Sequence, residues 1–158
     1  MIEALLAAAI FLMVVIGILP LFIRSSISNL AGRESTNVSN ETRSRAEELF
    51  ELAFNSAPLT ITAGTENVVV DYLVEGDADW TATPDPTKRE LFRRTTTIRQ
   101  YSVVALRDGV LTPDEALPAA SPPDVVDLKE IQVQVVASRA AGAFGPQKSV
   151  TIRLLKAK

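Results

Sequence analysis

Residues 1–24, MIEALLAAAIFLMVVIGILPLFIR, decide how the rest of the chain is read. Ala4 to Ile23 is a run of 20 residues without a charge, and 15 of the 16 Lys and Arg residues come after Arg24. At about 1.5 Å of rise per residue, a helix of this length reaches roughly 30 Å, the thickness of a bilayer's hydrocarbon core. The run is therefore expected to be a membrane-spanning helix. A cleaved secretory signal would place a basic residue before a shorter apolar region, whereas Met1-Ile2-Glu3 supplies an acid. A buried helix of a soluble domain fits less well, because an all-round apolar segment at a chain terminus has no evident core to enter.

Outside that run the composition is ordinary. The chain has 158 residues, 47% hydrophobic and 22% charged, with a formal net charge of −3. Its length suits one domain with a real core. Cys and His are both absent. That excludes disulfides, thiolate nucleophiles, Cys-ligated metals, Ser/His/Asp triads, zincin motifs and ordinary zinc sites. The acidic balance gives no reason to expect a nucleic-acid partner, and no Gly-rich phosphate loop is present. No cofactor is expected.

Two residues are out of character in the apolar run. Glu3 stands at its head, where a carboxylate costs several kcal/mol to bury unless it meets a cation. It is either an interfacial residue that stays among headgroups or a group awaiting a counter-charge. Pro20 removes a helix hydrogen bond, and Gly17 weakens the same turn. Gly17 to Pro20 is thus a place where the helix can kink or unwind.

The segment Met1-Ile2-Glu3-Ala4-Leu5, continued by Leu-Ala-Ala-Ala-Ile-Phe-Leu-Met-Val-Val-Ile-Gly-Ile-Leu-Pro, strongly resembles the N-terminal signature of type IV pilins and pseudopilins. In that family a proline follows the glutamate by 17 positions, as Pro20 follows Glu3 here (20 − 3 = 17). The resemblance covers roughly the first 24 residues. Aligned on Glu3, Met1 takes the third place of the family's mature chain, and cleavage and N-methylation upstream of it are implied by the resemblance alone. The resemblance further implies a prepilin processed by a prepilin peptidase, held in the bacterial inner membrane with its head outside the cytoplasm, and then assembled into an extracellular filament. Partners would be other pilin subunits, major and minor, the inner-membrane assembly machinery, and a tip adhesin. Glu3 would pair with the N-terminal amine of a neighbouring subunit. Gly17 and Pro20 would mark the turn that unwinds on assembly. Leu5, Leu6, Ile10, Phe11, Val14 and Leu19 would pack in the filament core.

From Arg24 onward the pattern becomes amphipathic. Ile27, Leu30, Ala31, Val38, Ala46, Leu49, Phe50 and Ala53 recur at threes and fours, interleaved with opposite charges. The helix is expected to continue to about Asn55. After Pro58 the period shifts towards two. Thr60–Thr62 and Val68–Val74 are short strand candidates, Arg93–Leu106 and Leu128–Ser138 longer ones, and Val150, Ile152 and Leu154 alternate until Leu155 breaks the pattern. The reading is four main strands, each with one polar face, Glu130, Gln132 and Gln134 facing outward, and Ala141–Pro146 joining the last two. This predicts an α+β fold. A long N-terminal helical spine packs on a four-stranded antiparallel sheet, which is also the family's layout. The expected organisation is a membrane or filament-core helix over 1–23 and a globular head over 24–158.

Two proline-rich loops remain, Glu75–Lys88 and Arg107–Asp127. Trp80 is either an interface anchor or a ring covering the sheet edge. Asp77 and Asp79 invite a Ca²⁺ reading but lack an EF-hand loop. Lys88, Arg89, Arg93 and Arg94 are either a phosphate-binding or subunit-binding cluster or a solvated strand face. Asn37-Val-Ser39 and Asn40-Glu-Thr42 match glycosylation acceptors in the poor context of a charged helix. The favoured function is a non-enzymatic minor pilin in an initiation or tip complex, since its opening looks most like the V-type minor pilins and the I-type pseudopilins of type II secretion. A secretion pseudopilin and a major pilin remain open, as do a monomeric anchored adhesin and, most remotely, an anchored enzyme with a Ser/Lys dyad. Twitching motility, adhesion, DNA uptake and secretion all use such filaments.

Overall fold

A computed structural model describes residues 2–138 and 147–158. The expected Ala141–Pro146 connection lies outside the described residues. The chain forms two compact units, Met1–Thr36 and Asn37–Lys158. One helix, α1 (Ile2–Glu51), contributes to both.

In the second unit, four strands follow the helix: β1 (Glu66–Val74), β2 (Glu90–Tyr101), β3 (Leu128–Ala137) and β4 (Ser149–Ala157). They pair antiparallel in the order β1-β2-β3-β4, so the sheet is a simple meander. This is the α+β layout expected, a long helix packed on a four-stranded antiparallel sheet.

The reason α1 can dock lies in its spacing. Val38, Thr42, Ala46 and Leu49 fall on one stripe and are all buried. The Thr42 hydroxyl needs no outside partner, because it donates to the Val38 carbonyl one turn earlier (2.6 Å). From the sheet, Ile98, Ile131, Val133, Val135 and Ala137 meet this stripe, joined by Leu59. Alternation then sends the intervening residues of β2 and β3 to the opposite face. Arg43–Glu47 and Arg45–Glu48 are ion pairs along the helix exterior. Asn37 and Asn40, the acceptors of the two glycosylation sequons, are exposed on this helix, whereas Thr42 is buried.

Four of the departures from expectation have a local reason. The helix stops at Glu51, not Asn55. A turn closed by Ser56 N–H on the Ala53 carbonyl (2.9 Å) leads into a 3₁₀ turn, Ala57–Leu59, that has Pro58 near its start. Thr60–Thr62 is not a strand. Asn67 donates its carboxamide to the Thr60 carbonyl (3.1 Å), Ile61 is buried, and the chain reverses at Gly64, whose φ of +67° favours glycine. β2 ends at Tyr101, not Leu106, because Asp127 accepts hydrogen bonds from Val103 N–H (2.9 Å) and Ser102 Oγ (3.4 Å) and draws the chain into a 3₁₀ turn, Val103–Asp108. β4 does not break at Leu155. It pairs with β3 as far as Ala157, and Leu155 sits opposite Glu130 on the outer face.

The β1–β2 loop folds back on the sheet edge. Tyr72 and Thr81 exchange backbone hydrogen bonds (2.7 and 2.9 Å), which covers part of β1's free edge. A register shift between Leu73 and Val74 turns Val74 into the core. The β2–β3 connection is tied down by Leu117 N–H to the Gln100 carbonyl (2.7 Å) and Ala119 N–H to the Gly64 carbonyl (2.8 Å).

Candidate assembly surface

The first unit has no core of its own. Every described side chain from Leu6 to Ser26 is exposed, and α1 is long and apolar enough at this end to cross a membrane. Transferring such apolar surface out of water is favourable by about 25 cal/mol per Å². A contiguous patch of this kind therefore marks a surface made for lipid or protein.

Glu3, Leu6, Ile10, Val14 and Gly17 lie at steps of three and four and so share one face of the helix. Phe11 and Leu19 fall on other faces, so the apolar character runs right round. The side chain of Leu5 lies outside the described ones. Glu3 is exposed in the first helical turn, where a carboxylate complements the helix dipole. Pro20 sits inside α1 without interrupting it. Lacking an N–H, it leaves the Ile16 carbonyl without its usual partner four residues on. A Cβ at Gly17 would meet nothing within 4 Å, so no steric need within the chain requires glycine there.

The head presents side-chain clusters for which the sequence leaves alternatives open. Trp80 packs against the core, with its indole N–H directed to Glu41 Oε2 (3.4 Å) and the Arg94 guanidinium 4.2 Å above its ring. Arg94 also donates to Asp71 Oδ2 from Nη2 (2.8 Å) and Nε (3.2 Å). Trp80 therefore covers the sheet edge. The basic cluster is divided: Arg94 is buried in this arrangement, and Lys88 pairs with Asp77. Asp77 is thus engaged by an ammonium group. Among the described residues no group of three His, Cys, Asp or Glu side chains is placed to hold a metal.

Glu130, expected on a solvated face, is only 1% exposed. It faces away from α1, but Gly109, Val110 and Leu111 come over it and leave a cavity of about 320 Å³ shared with Arg153 and Leu155. Its two oxygens accept from Arg99 Nη1 (3.3 Å), Tyr101 Oη (3.2 Å) and Arg153 Nε (2.5 Å). Arg99 in turn donates to Glu66 from Nη2 (2.6 Å) and Nε (2.9 Å). Burial, with the Glu130 charge second, pushes the Tyr101 hydroxyl up to about 12. This is a fully partnered ion network of the kind that fixes register. Its one sequence signal was the presence of Arg99, Tyr101 and Glu130 on two neighbouring strands, and only the observed pairing of Arg99 with Glu130 brings them together.

In comparisons with known proteins, no family model matches the chain, and neither a curated protein nor a solved structure matches it at a significant level.

Proposed function

We propose that this chain is a structural subunit of a type IV pilus, a minor pilin that assembles through its N-terminal helix in an initiation or tip complex. The observation that carries the proposal is the first unit of α1: an apolar helix with every described side chain exposed from Leu6 to Ser26, headed by Glu3 and holding Pro20 17 positions later (20 − 3). Before assembly the helix is at home in the inner membrane, with the head outside the cytoplasm. In the filament, similar helices replace the lipid. On leaving headgroup water, the Glu3 carboxylate then needs a cation, and the N-terminal amine of a neighbouring subunit supplies one. Such a pair sets axial register. The Gly17–Pro20 turn, already short of one hydrogen bond, unwinds at least expense and lets neighbouring helices pass.

Sheared surface filaments test the reading. The wild-type chain is expected in the sheared fraction in few copies, and Glu3→Ala is expected to stay in the membrane while its incorporation falls sharply. Abundance in the filament would make the chain a major subunit, and recovery only with a secretion apparatus would make it a pseudopilin. Retention of the wild-type chain in the membrane after shearing, with no filament-borne copies, would refute a subunit role.

A further inference from the structure

We propose that the cavity at the end of α1 binds a small monocarboxylate, anchored on the ammonium group of Lys129. The inference rests on the head alone and stands apart from the filament reading. The cavity measures about 270 Å³, near the lower bound for small-ligand sites, which favours a compact ligand. Phe54, Ile61, Ala119, Pro123 and Val126 give it mostly apolar walls. Asn55, Thr60, Gln100 and Ser121 add neutral polar groups, of which Thr60 donates to the Ser56 carbonyl (3.0 Å) and Gln100 to the Pro118 carbonyl (2.8 Å).

Lys129 is the unusual member of this lining. It is 4% exposed, yet no carboxylate among the described residues lies within ion-pairing distance of its Nζ. The ammonium donates to the Phe54 carbonyl (2.7 Å) and stands 4.7 Å from the centre of the Phe54 ring. An ammonium group has three N–H donors, so one carbonyl and one ring leave both hydrogen-bonding capacity and charge uncompensated. Burial accordingly pushes its pKa down. A charge so placed is stabilised chiefly by an opposite charge that reaches it. Asp127 of the adjoining segment is committed to Val103 N–H and Ser102.

The chemistry selects the ligand class. One deep ammonium among apolar walls matches a single carboxylate on a small apolar body. Phosphate and sulfate, which need several convergent donors, fit it poorly.

The test uses the full chain in lipid nanodiscs, with lysine side chains isotopically labelled at Cε and Nζ, titrated with benzoate and with benzyl alcohol as the neutral isostere. Benzoate is expected to shift the Lys129 resonance saturably and to bind at least about tenfold tighter than the alcohol. Lys129→Met should abolish the preference. Ala119→Phe, which fills the cavity and leaves Lys129 and its Phe54 contact in place, should abolish binding itself. Equal affinity for acid and alcohol, the absence of any saturable Lys129 shift, or unimpaired benzoate binding by a folded Ala119→Phe variant would each overturn the proposal.

Discussion

The two stretches Leu6–Ile23 and Val38–Leu49 belong to one helix and obey opposite rules. The first is apolar all round, and its described side chains are exposed. The second is apolar once per turn, and Val38, Ala46 and Leu49 on that stripe are buried. Helix formation is common to both, so it is not what distinguishes them. The arrangement of apolar residues is. A single stripe flanked by Arg43, Arg45, Glu47 and Glu48 can satisfy one sheet and face water elsewhere. A helix without a polar face needs surroundings that are apolar on every side.

Substitutions can break this contrast. The largest effect is expected where the head buries charge. Glu130→Ala removes three hydrogen bonds, leaves Arg99 to Glu66 alone and the buried Tyr101 hydroxyl without its partner, and should lower the head's unfolding free energy by about 3 kcal/mol, read by denaturant titration. Leu49→Ala should cost about 2–5 kcal/mol by leaving a cavity against Ile98 and Val133, whereas Leu6→Ala in the same helix should leave head stability within ~0.5 kcal/mol. Equal losses from the two would erase the distinction between the stretches.

A pH experiment sharpens it further. The folded head holds Tyr101 neutral, with its pKa pushed up to about 12, while an unfolded tyrosine ionises near 10. The folded pKa is the higher one, so this contribution is fully present below about pH 10 and is lost as pH rises through about 12. Phenolate absorbance in a Tyr72→Phe background should therefore rise with loss of the head's fold in that window, with no counterpart in the tyrosine-free first unit. Smallest of all, Arg43→Ala removes an exposed, solvent-screened pair with Glu47 and should leave stability almost unchanged, measurable only as a slight shift in the denaturant midpoint.

Much of this architecture was legible from periodicity. The threes and fours of Val38, Ala46 and Leu49 located the docking stripe. The alternation of Ile131, Val133 and Val135 identified β3 and its core face. The exposed apolar stretch, with Glu3 and Pro20, was evident from composition and spacing. What escaped notice depends on partners distant in sequence. Lys129 and Glu130 look like ordinary strand-face charges, and their burial arises because the segments around Gly109–Leu111 and Ala119–Val126 come over them. The adjacent Leu154 and Leu155 spoil the alternation, yet pairing with β3 carries β4 past them to Ala157. Thr60–Thr62 has strand-like residues, but among the described residues no strand pairs with it.

Lys156 of β4 donates to the Phe50 carbonyl at the last turn of α1, and Lys129 of β3 to the Phe54 carbonyl just beyond it. The Phe50 carbonyl is one of the orphan acceptors that a helix end must satisfy, and its donor lies 106 positions downstream. The order of synthesis thus sets the order of completion. The helix, made first, has its final turn unsealed until the last strand arrives with Val150, Ile152 and Leu154 to close the core. A chain halted before Ser149 should accordingly leave Leu49 and Phe50 amides open to hydrogen exchange, and the finished chain should protect them.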